Sequence, residues 1–275
     1  MKYTRMIIAS LALASLLPFT GSAHGAAPVT APPGLKTAGT LTIGTNIPYP
    51  PMESYTGANL NIPTGADIDL GTAIAGKMGL KTTWVNIPNF DTIIPALAAN
   101  RFDMIMSSMG ITAGREKTLI FVPYFLAGQS IVVAKGNPKH VQTIADLSGL
   151  TAGVQAATTE SDALNAENAK LKKAGKTQIS VKYYKQDSDA LEQLELGRVQ
   201  AYLTDYPVAA FYVQKRPSQL QIAGKQFGTQ TYGIAIRKSD KPLQTAVSKA
   251  LGLLMKDGQY RAILKKYNLS QGALK

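Results

Sequence analysis

Short apolar runs alternate along the chain with stretches in which apolar residues recur every three or four positions. Leu41 to Gly44 reads as a strand. Asp69 then reads as the cap of a helix that stacks Leu70, Ile74 and Met78 on one face and stops at Gly79. Thr82 to Val85 is the next strand. Asp91 opens a second helix carrying Ile94, Leu97 and Ala98, with Pro95 near its first turns and Asn100 at its end. Met104 to Met106 follows as a third strand. Strand, helix, strand, helix, strand predicts a parallel sheet covered by helices.

The plan changes at Phe121 to Lys135, a long extended stretch, and restarts beyond Gly136-Asn137-Pro138. Strand Thr151 to Val154 leads through Gln155 to Glu160 into a helix that runs to Gly175. Strand Ile179 to Tyr183, helix Ser188 to Leu196 and strand Val199 to Leu203 complete a second set. A further extended segment, Tyr232 to Ile236, precedes helices from Pro242 to Lys256 and from Gln259 to Lys266. The pattern predicts an α/β fold of two Rossmann-like lobes joined by two crossing strands. Such a fold sets a cleft between the lobes, with strand ends and helix N-termini facing it. The expected division is lobe 1 over 38–126 and 231–275 and lobe 2 over 127–230, hinged near Phe125 to Ser130 and Gln230 to Gly233.

The first residues add a location. Lys2 and Arg5, the apolar stretch Met6 to Leu17 and small residues to Ala27 form a secretory signal peptide, expected over 1–26, with a flexible Pro/Ala leader over 27–37. The apolar core is too short to span a bilayer, where about 20 residues are needed. The chain has no cysteine, which excludes disulfides and a lipid anchor on a terminal cysteine. A periplasmic protein, not lipid-anchored, is expected. The formal net charge of +12 loses Lys2 and Arg5 with the signal, leaving about +10. Nucleic acid is not the implied partner. The lysines scatter along polar stretches such as Lys170 to Lys176 without interleaved aromatics. His140 is a lone histidine in a polar loop, and no metal-binding cluster or cofactor motif is present.

The candidate chemistry gathers after the third strand. Ser107-Ser108-Met109-Gly110-Ile111-Thr112-Ala113-Gly114-Arg115 sets small residues, with unshielded backbone N–H groups, beside one guanidinium. A planar guanidinium fork matches two carboxylate oxygens, and free N–H groups beside it complete the anion's hydrogen bonds.

These motifs fall in an order that resembles a family. Gly39-Thr40-Leu41-Thr42-Ile43-Gly44, Tyr49-Pro50-Pro51-Met52, Gly65-Ala66-Asp67-Ile68-Asp69-Leu70 and Phe90-Asp91-Thr92-Ile93-Ile94-Pro95-Ala96-Leu97 are similar to blocks of the periplasmic polar amino-acid-binding proteins. These are the family 3 solute-binding receptors of ABC importers. The resemblance covers nearly all of the chain beyond the leader and implies the type II periplasmic-binding-protein fold. It also implies an amino-acid ligand, a membrane permease as partner and a monomer that closes on its ligand. Residue by residue, it gives Arg115 the ligand's α-carboxylate, and Ser108 and Gly110 backbone contacts to the α-amino and α-carboxylate groups. Thr158 and Thr159, at a helix start, complete the carboxylate clamp; Asp205 pairs with the α-ammonium; Tyr49 and Phe90 sandwich the ligand.

Two departures bear on specificity. Asn46 stands where binders of basic amino acids carry Asp, and Gly110 stands where many members carry Ser or Thr. Glu53 and Asp91 would serve a cation only if they pointed inward, so a neutral polar amino acid, or an amino-acid derivative, is expected. The competing reading is a prephenate or arogenate dehydratase on the same fold, which needs a cleft carboxyl group with a raised pKa. Apart from Asp205, which the resemblance gives to the α-ammonium, Glu160 is the one carboxylate the sequence puts near the cleft. At a helix N-terminus its pKa is expected to fall, which argues against catalysis.

Overall fold

The computed structural model describes residues 28–58 and 61–275; the expected signal peptide lies outside them. The first lobe is laid down by β1 (Thr40–Thr45), a hairpin of β2 (Ser54–Thr56) and β3 (Ile62–Thr64), α1 (Ala66–Lys77), β4 (Lys81–Asn86), α2 (Ile93–Ala98) and β5 (Met104–Ile105). The long β6 (Leu119–Ala134) crosses to β7 (Thr151–Gln155), α3 (Thr159–Lys173), β8 (Ser180–Tyr184), α4 (Asp187–Glu195), β9 (Ala201–Asp205) and α5 (Tyr206–Lys215). The longer β10 (Leu220–Arg237) returns, and α6 (Lys241–Lys256) and α7 (Gln259–Lys266) pack back on the first lobe.

One sheet runs through both lobes in the order β4-β1-β5-β10-β6-β9-β7-β8. β1 pairs in parallel with β4 and β5, and β7 with β8 and β9, as helical crossovers require. At the centre β10 lies antiparallel to β6, with register shifts between Ala223 and Phe227, Phe227 and Gln230, and Tyr232 and Gly233. Two apolar cores lie on the first-lobe side, centred on Leu41, Ile74, Tyr124 and Leu254 and on Ile93, Phe102 and Leu119. Two more lie on the other side, around Val154 and Leu164 and around Tyr202 and Val208.

Several elements differ from the sequence reading. α1 starts at Ala66, not after Asp69. Gly65, at φ 131°, brings its Cα against the Met52 carbonyl, where a Cβ would sit 2.1 Å from the oxygen, and so turns the chain into the helix early. Asp69 is therefore a first-turn residue whose carboxylate accepts from Lys266 at 2.6 Å and from the Tyr267 hydroxyl at 2.9 Å. The second helix is a 3₁₀ turn, Phe90–Thr92, followed by α2, so Asp91 is not its cap. β10 begins twelve residues before the expected segment (Leu220 rather than Tyr232) because Leu220 to Ala223 pair with Ile131 to Ala134. The hairpin β2–β3 and helix α5 are additions.

Residues 28–37 are not a free leader. Val29 is buried in the first core and donates its N–H to the Lys77 carbonyl at 3.0 Å. The Lys36 N–H donates to Asp103 at 2.7 Å. That carboxylate, 1 % exposed, also accepts from the Thr42 N–H at 2.7 Å and from the Thr42 hydroxyl, tying this segment and β1 to the approach to β5. Replacing Asp103 with Ala strands the buried Thr42 N–H. It should destabilise the protein by about 1–3 kcal/mol in a urea titration with an unchanged m-value.

Candidate functional site

β5 delivers the chain to Ser107 and Ser108, and their position is fixed from behind by two buried carboxyl groups. Ser108 has φ 47°. Its N–H donates to Asp67 Oδ2 at 2.8 Å, and the Tyr124 hydroxyl donates to the same oxygen at 2.7 Å. Glu53 lies beside Asp67, and the Ser108 hydroxyl stands 3.5 Å and 3.4 Å from the two carboxylates. Burial pushes Asp67 up to about 6 and Glu53 well above the carboxylate range, so the pair holds a shared proton. Ser108 is thus not a source of a free N–H, contrary to the sequence reading, because Asp67 uses it.

Two residues on, Gly110 bridges to Tyr232 of β10, through the Ile111 N–H to the Thr231 carbonyl and the Gly233 N–H to the Met109 carbonyl, each 2.9 Å. A Cβ at Gly110 would meet Gln230 Oε1 at 2.1 Å, so a larger residue here would displace the Gln230 side chain. Arg115 opens a 3₁₀ turn and reaches back. Nη1 donates to the Gly110 carbonyl at 2.7 Å and Nη2 donates across the cleft to the Ala157 carbonyl at 2.9 Å. Its guanidinium carbon lies 5.7 Å from the centre of the Phe90 ring, close enough for a cation–π contact.

The second lobe contributes the start of α3. Ala157, at φ 61°, turns the chain, and Thr158 is the N-cap: its hydroxyl accepts from the Ser161 N–H at 3.2 Å and donates to the Gln155 carbonyl at 2.9 Å. The first N–H groups of this 15-residue helix, from Thr159 onward, carry the positive end of its dipole. Asp205 ends β9 and stands at the N-cap of α5, yet its side chain makes no cap bond there. It turns into the cleft instead, accepting from the Tyr49 hydroxyl and from Gln230 Nε2, each at 2.9 Å.

All eight residues named from the sequence, Tyr49, Phe90, Ser108, Gly110, Arg115, Thr158, Thr159 and Asp205, line one cleft of about 340 Å³. Asn46, Ser107, Gln155 and Glu160 line it as well. Gln155 and Ser107 follow the rule that α/β sites form at strand C-terminal ends, a signal that could have placed them among the candidates. Asn46 Oδ1 accepts from Gln155 Nε2 at 2.8 Å, and its Nδ2 donates to the Ile87 carbonyl at 2.7 Å and reaches Gln186 Oε1 at 3.4 Å. Gln186 also donates to the Pro88 carbonyl. With the Tyr49–Asp205 and Arg115–Ala157 bonds, these contacts hold the lobes closed on each other.

Two expectations about acids change. Glu53 faces Asp67, and Asp91 is exposed, so neither lines the cleft. Glu160 does line it, but its pKa is raised well above the carboxylate range, not lowered: burial and the neighbouring Asp205 outweigh the helix N-terminus.

Residues 41–270 match the family model described as bacterial extracellular solute-binding proteins, family 3. The chain is 34% identical over 238 residues to the lysine/arginine/ornithine-binding periplasmic protein of Escherichia coli (strain K12), spanning 83% of this chain and 87% of that one. Among solved structures it resembles an ancestral arginine-binding protein bound to arginine (39% identity, TM-score 0.76, 83% and 98% of the two chains). The ancestral arginine-binding protein bound to glutamine is similar too (38% identity, TM-score 0.76, 84% and 98%). The two lobes and their shared cleft are those of a type II periplasmic binding protein. The chain belongs to the family 3 bacterial extracellular solute-binding proteins, and it is a binding protein rather than an enzyme.

The buried acids give the stability a sign. Glu53, Asp67, Glu160, Asp205 and, at about 7, Asp187 all have pKa values raised by burial. A raised carboxyl group holds more protons folded than unfolded, so stability falls as pH rises from the unfolded value near 4 through the folded one. The lowered acids Asp146 and Asp257 act only below about pH 4. The ligand-free protein should therefore melt at a higher temperature at pH 5 than at pH 8 in a thermal scan at constant ionic strength.

Proposed function

We propose that this protein is the periplasmic receptor of an ABC importer for a neutral polar amino acid, which it captures by closing its two lobes. The observation that carries the reading is charge placement. Arg115 and Asp205 face one cleft from opposite lobes, 90 residues apart in sequence, with the N-terminus of α3 beside them. A zwitterion is the ligand that satisfies both. Its α-carboxylate takes the Arg115 fork, Gly110 and the N–H groups after Thr158, including that of Thr159; its α-ammonium takes Asp205 and the Ser108 carbonyl. Tyr49 and Phe90 cover the ligand's apolar part.

The ligand class follows from what else lines the cleft. Asn46, Gln155 and Ser107 line the cleft with uncharged amide and hydroxyl groups, surroundings that suit a neutral polar side chain better than a second charge. Lobe 1 (38–126 and 231–275) would bind first, and lobe 2 (127–230) would rotate in about the register shifts of the β6–β10 pair near Gln129 and Gln230. The closed form is the one a membrane permease would recognise. Closure needs no second copy, so the working unit is a monomer.

A saturating amino acid of this class, at about 100 times its Kd, adds about 2.7 kcal/mol to folded stability, which raises the melting temperature by roughly 5–10 °C. A thermal-shift panel of the twenty common L-amino acids reads this directly, and a flat panel would reject the reading. Arg115→Ala should weaken binding of the best ligand by about 3–5 kcal/mol, measured by calorimetry, because the α-carboxylate is left buried and unpaired.

A further inference from the structure

The α-ammonium role given to Asp205 leaves a second acid in the same place without a task. Glu160 is 3% exposed, as is Asp205, and both line the cleft. Burial and the charge of Asp205 together push the Glu160 carboxyl well above its usual range. Glu160 Oε2 has the Thr159 hydroxyl at 3.4 Å. Its Oε1 has no hydrogen-bond partner among the described residues. A buried carboxyl oxygen without a donor costs about 1–3 kcal/mol or more; Glu53 Oε1 and Asp67 Oδ1 are in the same state behind the site, but Glu160 is the one whose side chain lines the cleft. A helix N-terminus and an acidic pair would mean little alone; the unpartnered oxygen inside the cleft is what points to a ligand.

We propose that Glu160 and Asp205 form a two-carboxyl receptor for the ligand's α-ammonium group, each accepting one of its N–H bonds. The inference rests on the amino-acid-receptor reading and extends it. An ammonium has three N–H donors, and Asp205, Glu160 and the Ser108 carbonyl supply three acceptors. Selection is then for a free primary α-amine, against α-hydroxy acids and N-acylated amino acids, which leave two facing carboxyl groups without a cation.

The charges around Glu160 decide what binding does to protons. Asp205 at the end of β9 opposes its ionisation, the neutral phenols of Tyr49 and Tyr232 face it, and Arg115 of the first lobe is a cation within reach of its charge. In the ligand-free protein the acid pair therefore retains a proton near neutral pH. An ammonium placed between the two groups favours the doubly ionised form, so the retained proton leaves as the ligand binds. Binding releases up to about one proton and tightens as pH rises until the pair is ionised without help.

The test is calorimetry of L-glutamine and L-arginine binding to protein purified from a periplasmic fraction. Phosphate and Tris buffers, which differ in ionisation enthalpy, are used between pH 6 and 8.5. Proton release by the unmodified protein, with L-lactate and N-acetyl-L-glutamine failing to bind, supports the proposal; an amino acid binding with no proton release overturns it. Glu160→Gln should abolish the release, flatten the pH dependence and weaken binding at pH 8 roughly ten- to a hundredfold. If the variant weakens L-arginine but not L-glutamine, Glu160 reads the side chain and the proposal is wrong. Without ligand, Glu160→Gln should raise the melting temperature more at pH 8 than at pH 5, because it removes a carboxyl whose ionisation opposes folding; no difference between the two pH values overturns the proposal. Should none of the twenty amino acids bind, the receptor reading itself falls and this proposal falls with it.

Discussion

The antiparallel pairing of β6 with β10 is the constraint on which the rest of the molecule depends. These strands are the central pair of a sheet that would otherwise be two parallel sheets, and their ladder spans Leu119 to Ala134 against Leu220 to Arg237. The ladder is regular from Leu220 to Ala223 and from Gly233 to Arg237, and register shifts cluster between those stretches, from Ala223 to Gly233. Strands that bulge lose ladder hydrogen bonds and bend more easily than those that do not. The same pair therefore joins the lobes and concentrates compliance at the floor of the cleft. Gln230, in that interrupted stretch, donates to Asp205 and crowds Gly110, so the hinge and the site share a residue.

Around the cleft the protein buries an unusual number of acids, and their arrangement separates support from recognition. Glu53 and Asp67 sit behind the Ser108 loop, where Asp67 Oδ2 accepts from both its N–H and the Tyr124 hydroxyl. Their shared proton makes a neutral-anionic pair that is less costly to bury than two anions. Asp187 is held by the Tyr202 hydroxyl at the start of α4. Glu160 and Asp205 face the ligand space itself. Their burial is offset only in part by Tyr49, Gln230 and Thr159, which leaves them the groups with most to gain from a cation. Arg115 makes no ion pair with these acids among the described residues: its donors go to the carbonyls of Gly110 and Ala157, although the charges of Glu160 and Asp205 reach it, so its fork remains open to an anion.

Much of the fold was legible because the periodicities are clean. The alternation that predicts β1, β4, β7 and the α6–α7 pair is local, and it places their ends within a residue or two. Elements set by long-range pairing were misjudged. The first half of β10 carries Gly224, Lys225 and Gly228, poor strand residues, and it is extended because β6 offers it partners. Asp69 reads as a cap in sequence because Asp caps helices well; Gly65 begins the helix through a contact with Met52, which only the folded chain creates.

For the site, the sequence by itself determined which chemical groups are available: one guanidinium after a strand of small residues, a threonine pair at a helix start, and an acid at the end of β9. These are properties of residue type and local order, and the eight candidates that the family resemblance adds to them converge on one cleft. Only the tertiary structure decided which atoms remain for a ligand and what charge they carry. Ser108 loses its N–H to Asp67, Asp205 declines its cap, and Glu160 has its pKa raised where a helix N-terminus would lower it. The physical reason is the same in each case. Hydrogen-bond partners and desolvation come from residues distant in sequence, and the pattern along a chain does not contain the distances between its lobes.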